Sequence, residues 1–481
     1  MRKITFIIVS IFLLLLAGNT QSQVVPDSYR YQKQQEMANF KDSIHDAFVR
    51  YLEHLWAEYQ LFTGDKSPRD LKPTEQPQID KSEEEADTLK NDHQISYDRP
   101  LEIEGVETMA FLPPSPMADL SMRDHTIQFY GRKLKISLPE SVASITLSGI
   151  NERQVARFWK KLADNHADQC LASLDRLRHS LYLNDWGLYD LVRHFSEAVF
   201  PNNPNQQTVL SVFILNIMHY DVRIGRIDNN LVMLLNTGIR LYNTPYVEIA
   251  DKRYYACGCI PNKGRIYTYE RQLKNADIPI NLRIVNSPRL GGELTTHTFK
   301  HDIRNHKVSF QVNKPLIDFY AHYPQTELTI YANAAIEEAL VAAIEREMRP
   351  LVEGQSAESA LNILLEFMQQ GFKYKTDLSQ FQHEKNFFCE ENFYYPANDC
   401  EDRAILFARI VKILLGYNVV LLEYKDHVAT AVHIPGSKIR GQYLQIKGKR
   451  YMVCDPTYIG ATIGQLSRKY HNKKANIIIV S

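Results

Sequence analysis

Three short stretches toward the C-terminal end hold the residue types of a thiol reaction centre. They are Asn398-Asp399-Cys400-Glu401-Asp402, Asp426-His427-Val428-Ala429 and Cys454-Asp455-Pro456-Thr457-Tyr458. After Cys400, the apolar residues Ile405, Leu406, Ile410, Val411, Ile413, Leu414 and Leu415 fall mostly at helical spacing, and Asn398 and Asp399 are natural caps ahead of them. Cys400 is therefore expected in the first helical turn, where unpaired N–H groups favour a thiolate. The dipole contributes only about 0.3–1 kcal/mol, and Asp399, Glu401 and Asp402 oppose it with like charge. Most of any activation must come from an imidazolium close by.

Two histidines qualify, both on the strand His427-Val428-Ala429-Thr430-Ala431-Val432-His433-Ile434. Period-2 alternation puts His427, Ala429, Ala431 and His433 on one face, with the two rings roughly 20 Å apart, so only one can meet the cysteine. His427 is the choice, because Ala429 and Ala431 beside it leave room for a helix to lie close. Asp455 ends the strand that begins at Lys449, and its carboxylate can hold the second imidazole nitrogen and fix the tautomer. The competing readings are plain ones. Cys400 would be half of a disulfide with Cys389 or Cys454, Asp455-Pro456 an ordinary turn, and His427 a surface strand residue.

In this order, the three stretches resemble the transglutaminase-like branch of the papain-like cysteine peptidase superfamily. Leu361-Asn362-Ile363-Leu364-Leu365-Glu366-Phe367-Met368, running on to Phe372-Lys373-Tyr374, resembles that family's lead-in helix; Ala429 stands where the family's strand usually carries an aromatic. The resemblance implies an α+β fold in which helices pack on an antiparallel sheet, with Cys400 as nucleophile, His427 as general base and acid, and Asp455 as orienter. It implies oxyanion donors at the Cys400 backbone N–H and on the loop 374–396, where Gln380, Gln382 and Tyr395 are the candidates. The family contains hydrolases, amide-transfer enzymes and inactive members. The expected activity is thus hydrolysis of an amide or peptide bond, with amide transfer (cross-linking) and a non-enzymatic binding or scaffold role as alternatives. The expected substrate is a peptide or protein amide. No metal motif or phosphate loop is visible, so neither cofactor nor metal is expected.

The 481 residues suit two or three domains. Lys+Arg and Asp+Glu both number 56, which leaves no electrostatic case for nucleic acid or an anionic membrane surface. Met1-Arg2-Lys3 followed by an apolar run to Ala17 reads as a signal peptide, 1–22, with cleavage before Gln23. The mature chain is then expected to be exported, periplasmic or extracellular, with no membrane span. Among six cysteines, Cys257-Gly258-Cys259 is too tightly spaced for a zinc knuckle and reads as structural or as a disulfide end. The expected organisation continues with an N-terminal helix and polar linker, 23–100, and a β-rich segment, 101–148. That segment has a hairpin turn at Tyr130-Gly131-Arg132-Lys133 between Thr126-Ile127-Gln128-Phe129-Tyr130 and Lys133-Leu134-Lys135-Ile136-Ser137-Leu138. A helical stretch 152–200 opens the next unit, 149–263. Residues 264–350 are expected to be strand-rich, closing on Leu328-Thr329-Ile330-Tyr331 and a helix 333–348, ahead of the catalytic unit 351–481.

Unit 149–263 carries an internal repeat. Tyr246, Ile249, Lys252, Arg253, Tyr254 and Cys257 match Tyr443, Ile446, Lys449, Arg450, Tyr451 and Cys454 at an offset of 197, and the offset continues upstream through Tyr220 and Tyr417 to the apolar helices. It maps Cys400 onto Asn203, His427 onto Asn230 and Asp455 onto Gly258. None of those three can do thiol chemistry. A tandem of a degenerate copy and a live copy is the expectation.

Overall fold

The computed structural model describes residues 120–257, 266–268, 273, 275–471 and 473–481. The expected signal peptide, the N-terminal helix and linker, the start of the first β-rich segment, and Gly258 and Cys259 lie outside the described residues. The chain is α+β, with helices on antiparallel sheets. Among the described residues no helix is long and apolar enough to cross a membrane.

The first strands, β1 (Met122–Phe129) and β2 (Arg132–Pro139), form the expected hairpin. Tyr130 and Gly131 both take positive φ (43° and 76°), as a two-residue turn matched to strand twist requires. Helices α1 (Glu140–Ala143), α2 (Glu152–Asp164), α3 (Leu171–Ser180) and α4 (Asp185–Val199) follow. The single helical stretch expected over 152–200 is therefore interrupted. His166 (φ 55°) and Tyr182 (φ 52°) reverse the chain in the left-handed region without a glycine or proline to announce it. Helix α5 (Pro204–Ile217) then feeds β3 (Val222–Ile227), β4 (Asn230–Leu235), β5 (Tyr246–Ile249), β6 (Lys252–Cys257) and β7 (Ile266–Tyr267), a five-stranded sheet of order β5-β6-β4-β3-β7.

The connecting region is less stranded than expected. It holds one hairpin, β8 (Phe299–Ile303) with β9 (His306–Phe310), then α6 (Lys314–Ala321), α7 (Leu328–Ala332) and α8 (Glu338–Val352). Leu328 to Tyr331, expected as a strand, is the short helix α7. Its Ile330 and Tyr331 are buried in the core, and this packing outweighs β-propensity. Next come α9 (Ala357–Gly371), β10 (Lys373–Tyr374), α10 (Asp377–Phe381), β11 (Ala397–Asn398) and α11 (Cys400–Leu415). The chain ends in β12 (Asn418–Tyr424), β13 (His427–His433), β14 (Tyr443–Ile446), β15 (Lys449–Cys454) and β16 (Asn476–Val480), of order β14-β15-β13-β12-β16.

The two sheets share strand order and register. Val222 pairs with Leu235 as Val419 pairs with Val432, Met233 with Cys257 as Thr430 with Cys454, and Tyr246 with Tyr255 as Tyr443 with Met452. Every one of these pairs keeps the offset of 197. Each sheet buries one face against its helix, α5 or α11, in a core that runs from Ile127 to Val480. The opposite faces carry separate clusters that also match at that offset. Ile227, Val232, Leu234, Val247, Tyr254 and Ala256 stand in one where Tyr424, Ala429, Ala431, Leu444, Tyr451 and Val453 stand in the other.

Candidate functional site

Cys400 is the first residue of α11, and Asp399 takes the cap position ahead of it with extended backbone. The Asp399 N–H donates to Asp402 Oδ2 at 3.4 Å, the return half of a capping box. Asn398, a second candidate cap from sequence, instead belongs to β11 and grips Arg403: its Oδ1 accepts from Arg403 Nε at 2.9 Å. As the first helical residue, Cys400 has no intrahelical acceptor for its own N–H, which leaves that group for a ligand.

His427 opens β13, and Asp455 directly follows β15. The His427 Nε2–H donates to Asp455 Oδ2 at 2.9 Å, which leaves Nδ1 as the ring's free acceptor. Asp455 is 1% exposed, and its Oδ1 accepts the N–H groups of Thr457 (3.0 Å) and Tyr458 (3.2 Å). Three hydrogen bonds thus tie the carboxylate to the turn and the imidazole. The Val428 backbone N–H, one residue from His427, faces the Cys400 sulfur closely enough to favour its thiolate, so the thiol lies at the start of β13. His433 is at the other end, with Nδ1 on the Arg450 carbonyl at 2.9 Å.

Helix α11 does not lie beside Ala429 and Ala431. Ala429 and Ala431 do share a face, but α11 lies on the other one, against Val428 and Val432. The space beside the alanines is filled by Leu466 and Tyr470 of the C-terminal segment. Tyr470 stacks on the His427 ring, centroids 4.8 Å apart at 21°, and is backed by Tyr424. Lys469 ion-pairs with Asp426 beside it. Alternation tells which residues share a face; it does not tell which face a helix will cover.

The thiol itself donates to Glu401 Oε2 at 3.0 Å. Burial, then Glu401 and Asp399, push the thiol well above its ordinary range, against the smaller opposing effect of the Val428 N–H. The resting side chain is therefore a neutral thiol. The five described cysteines, Cys170, Cys257, Cys389, Cys400 and Cys454, are all free, so Cys400 is not half of a disulfide with Cys389 or Cys454.

Loop 374–396 is pinned by buried acids. Lys385 N–H donates to Asp377 Oδ2 (2.7 Å), Phe387 N–H to Asp402 Oδ1 (2.9 Å), and Lys385 Nζ to Glu391 Oε1 (2.6 Å). Burial, then Asp399, raises Asp377 to about 7; burial, then Glu401, raises Asp399 to about 8; burial, then Asp399, lifts Asp402 well above the usual range. Among the described residues three groups have ligand atoms within 4.8 Å of one another, the spacing to hold a cation: Asp399, Cys400 and Glu401; Asp377, Glu384 and Glu401; and Asp377, Asp399 and Asp402.

The proposed oxyanion candidates fare poorly. Gln380 commits its Nε2 to the Ala397 carbonyl at 3.1 Å. Gln382 is exposed, in left-handed backbone after α10. Tyr395 packs among Phe381, Phe387 and Tyr394, a set that includes no triad residue. In the other unit, Asn203 caps α5, its Oδ1 accepting the Gln206 N–H at 3.2 Å, and Asn230 is exposed at the start of β4.

Sequence reasoning missed three contributors. Gln369 on α9 bonds the carbonyls of Asp455 (3.3 Å) and Ala461 (3.0 Å) and accepts the Gly460 N–H (2.9 Å), tying the Asp455 turn to the lead-in helix. A glutamine amid Leu361, Leu365 and Met368 was a usable signal. Arg403 is 1% exposed in the first turn of an apolar helix, where a cation is disfavoured, and that also was readable. Tyr470 carries no local signal. Searches against protein-family models, curated proteins and solved structures found no match to this chain.

Proposed function

We propose that this protein is a thiol-dependent amide- or peptide-bond hydrolase of the transglutaminase-like type, with Cys400 as nucleophile, His427 as general base and acid, and Asp455 as orienter. The observation that carries the reading is the 2.9 Å bond from His427 Nε2 to the buried, turn-anchored Asp455, on a strand whose next N–H faces the Cys400 thiol. Such a bond fixes the tautomer and leaves Nδ1 to take the thiol proton. The thiolate then attacks the acyl carbon, His427 protonates the leaving amine, and water releases the acyl group. Water is the default acceptor, so hydrolysis is favoured over amide transfer. Unit 149–263 is the same frame without the reacting groups, a reading supported by the matched registers and paired back-face clusters. The apolar run after Met1-Arg2-Lys3 supports export.

One observation favours a non-enzymatic binding role: the thiol rests on Glu401 and is pushed up rather than down. The two readings part in a labelling experiment. The folded protein is treated with iodoacetamide at pH 6 and the modified cysteine located by peptide mass spectrometry. Selective modification of Cys400 is the result expected of the enzyme. No modification at Cys400 under these conditions supports the binding role.

A further inference from the structure

We propose that Tyr374 is a further catalytic residue, its phenol donating the second oxyanion hydrogen bond beside the Cys400 backbone N–H. The inference rests on the reading of Cys400 as a nucleophile and adds a residue to that site.

Placement comes first. Strand β10 runs parallel to β11 with Tyr374 opposite Asn398, two residues ahead of Cys400, and the Lys375 N–H donates to the Asn398 carbonyl at 3.2 Å. Parallel neighbours lie about 4.8 Å apart, so the Tyr374 backbone flanks the segment that delivers the thiol. The side chain is fixed by Arg403. That residue stands three positions after Cys400, on the same side of α11. Its guanidinium lies 5.5 Å from the Tyr374 ring centroid. Arg403 is itself immobilised, by Asn398 Oδ1 (2.9 Å) and by the Phe372 carbonyl (2.8 Å), while Asn398 is held by Asn392 (2.7 Å). The ring is thus pinned beside the thiol from both flanking chain segments.

Availability comes second. Tyr374 is 52% exposed, although its neighbours Phe372 and Arg403 are buried, so the ring is open to solvent. Its hydroxyl donates to no acceptor among the described residues, whereas the Gln380 amide is already spent. Burial, then Cys400, Asp399 and Glu401, push the phenol up to about 12, so it keeps its proton at neutral pH.

The step balances without an added reagent. As the Cys400 thiolate forms the C–S bond, the carbonyl π pair moves onto oxygen. The Tyr374 O–H and Cys400 N–H hydrogen-bond that oxyanion and keep their protons. Collapse re-forms the carbonyl and expels the leaving group.

Two reagents separate this role from others. Acylation of Cys400 by p-nitrophenyl acetate passes through an oxyanion and releases p-nitrophenolate; alkylation by iodoacetamide displaces iodide and forms none. Tyr374→Phe keeps the ring over which Arg403 lies. It is expected to slow acylation about 100-fold while leaving alkylation of Cys400 within about twofold. Unchanged acylation, or equal losses in both reactions, overturns the assignment of Tyr374. Cys400→Ala is run alongside. Loss of the acylation burst upholds the site, and wild-type acylation in that variant overturns the nucleophile assignment and this inference with it.

Discussion

The two sheet units, 204–257 and 400–454, have the same strand order, the same register and apolar residues at the same back-face positions, yet they treat one backbone N–H differently. In the second unit the Val428 N–H faces the Cys400 thiol. In the first, the equivalent Leu231 N–H goes to Asn205 Oδ1 at 2.8 Å. The helices differ by one residue in the same spirit. Asn203 is the cap of α5, but the matching Cys400 lies just inside α11, with Asp399 as its cap. An amide satisfies the frame as well as a thiol does. The contrast teaches that the frame needs a cap, an acceptor for that N–H and two apolar faces, and that it does not need a nucleophile or a base. The frame thus holds with Asn203 and Asn230 in one unit as it does with Cys400 and His427 at the matching positions of the other.

The largest effect should come from exchanging roles across this comparison. Cys400→Ala should bring amide hydrolysis and pH 6 alkylation at that position below detection, with the cooperative unfolding transition retained. Asn203→Ala should leave both within about twofold of wild type but cost about 1 kcal/mol of stability as a lost cap, read by urea denaturation. Loss of activity in Asn203→Ala would mean that the first unit takes part in the chemistry. Next, His427→Ala should reduce kcat/KM by at least about 1,000-fold, and Asp455→Asn by about 100- to 10,000-fold, since Asp455 orients the ring and makes no bond to substrate. His433→Ala should leave kcat/KM within about twofold. Steady-state kinetics on a peptide amide would order these variants, and a dispensable His427 would break the assignment.

A smaller effect concerns pH. Asp377 at about 7 and Asp399 at about 8 hold protons in the folded chain that an unfolded chain, with carboxyls near about 3.9, has already released. The folded state binds more protons over that window, so stability is fullest below the unfolded value and is lost as pH rises through the folded ones. Tm should fall between pH 5 and pH 9, and Asp399→Asn, which keeps a capping side chain, should flatten the profile. Hydrogen exchange should show the loss of protection around residues 385–402 and not around 203–206, because the first unit has asparagine at both 202 and 203 where the second has Asp399 and Cys400.

The features legible in the sequence were those encoded by neighbours along the chain. The start of α11 followed from a cap and an apolar period, and the hairpins from alternation and turn residues. The shared register was visible because both units use the same Tyr-x-x-Ile-x-x-Lys-Arg-Tyr-x-x-Cys spacing. What escaped depends on distant packing. Which face α11 covers is decided by Leu466 and Tyr470 filling the other one. Leu328 to Tyr331 form a helix because the core receives Ile330 and Tyr331 in that shape. Loop 374–396 is held by acids from two places, Asp377 accepting the Lys385 N–H and Asp402 of α11 the Phe387 N–H.

The most direct test of the triad is the pH dependence of Cys400 alkylation in the wild-type chain and in His427→Ala. Burial and Glu401 raise the isolated thiol, so reactivity at low pH requires a proton acceptor at Nδ1 of His427. The wild-type protein is predicted to be alkylated at Cys400 already at pH 6, whereas His427→Ala is predicted to react only in strongly alkaline solution. Superimposable profiles for the two proteins would contradict the triad.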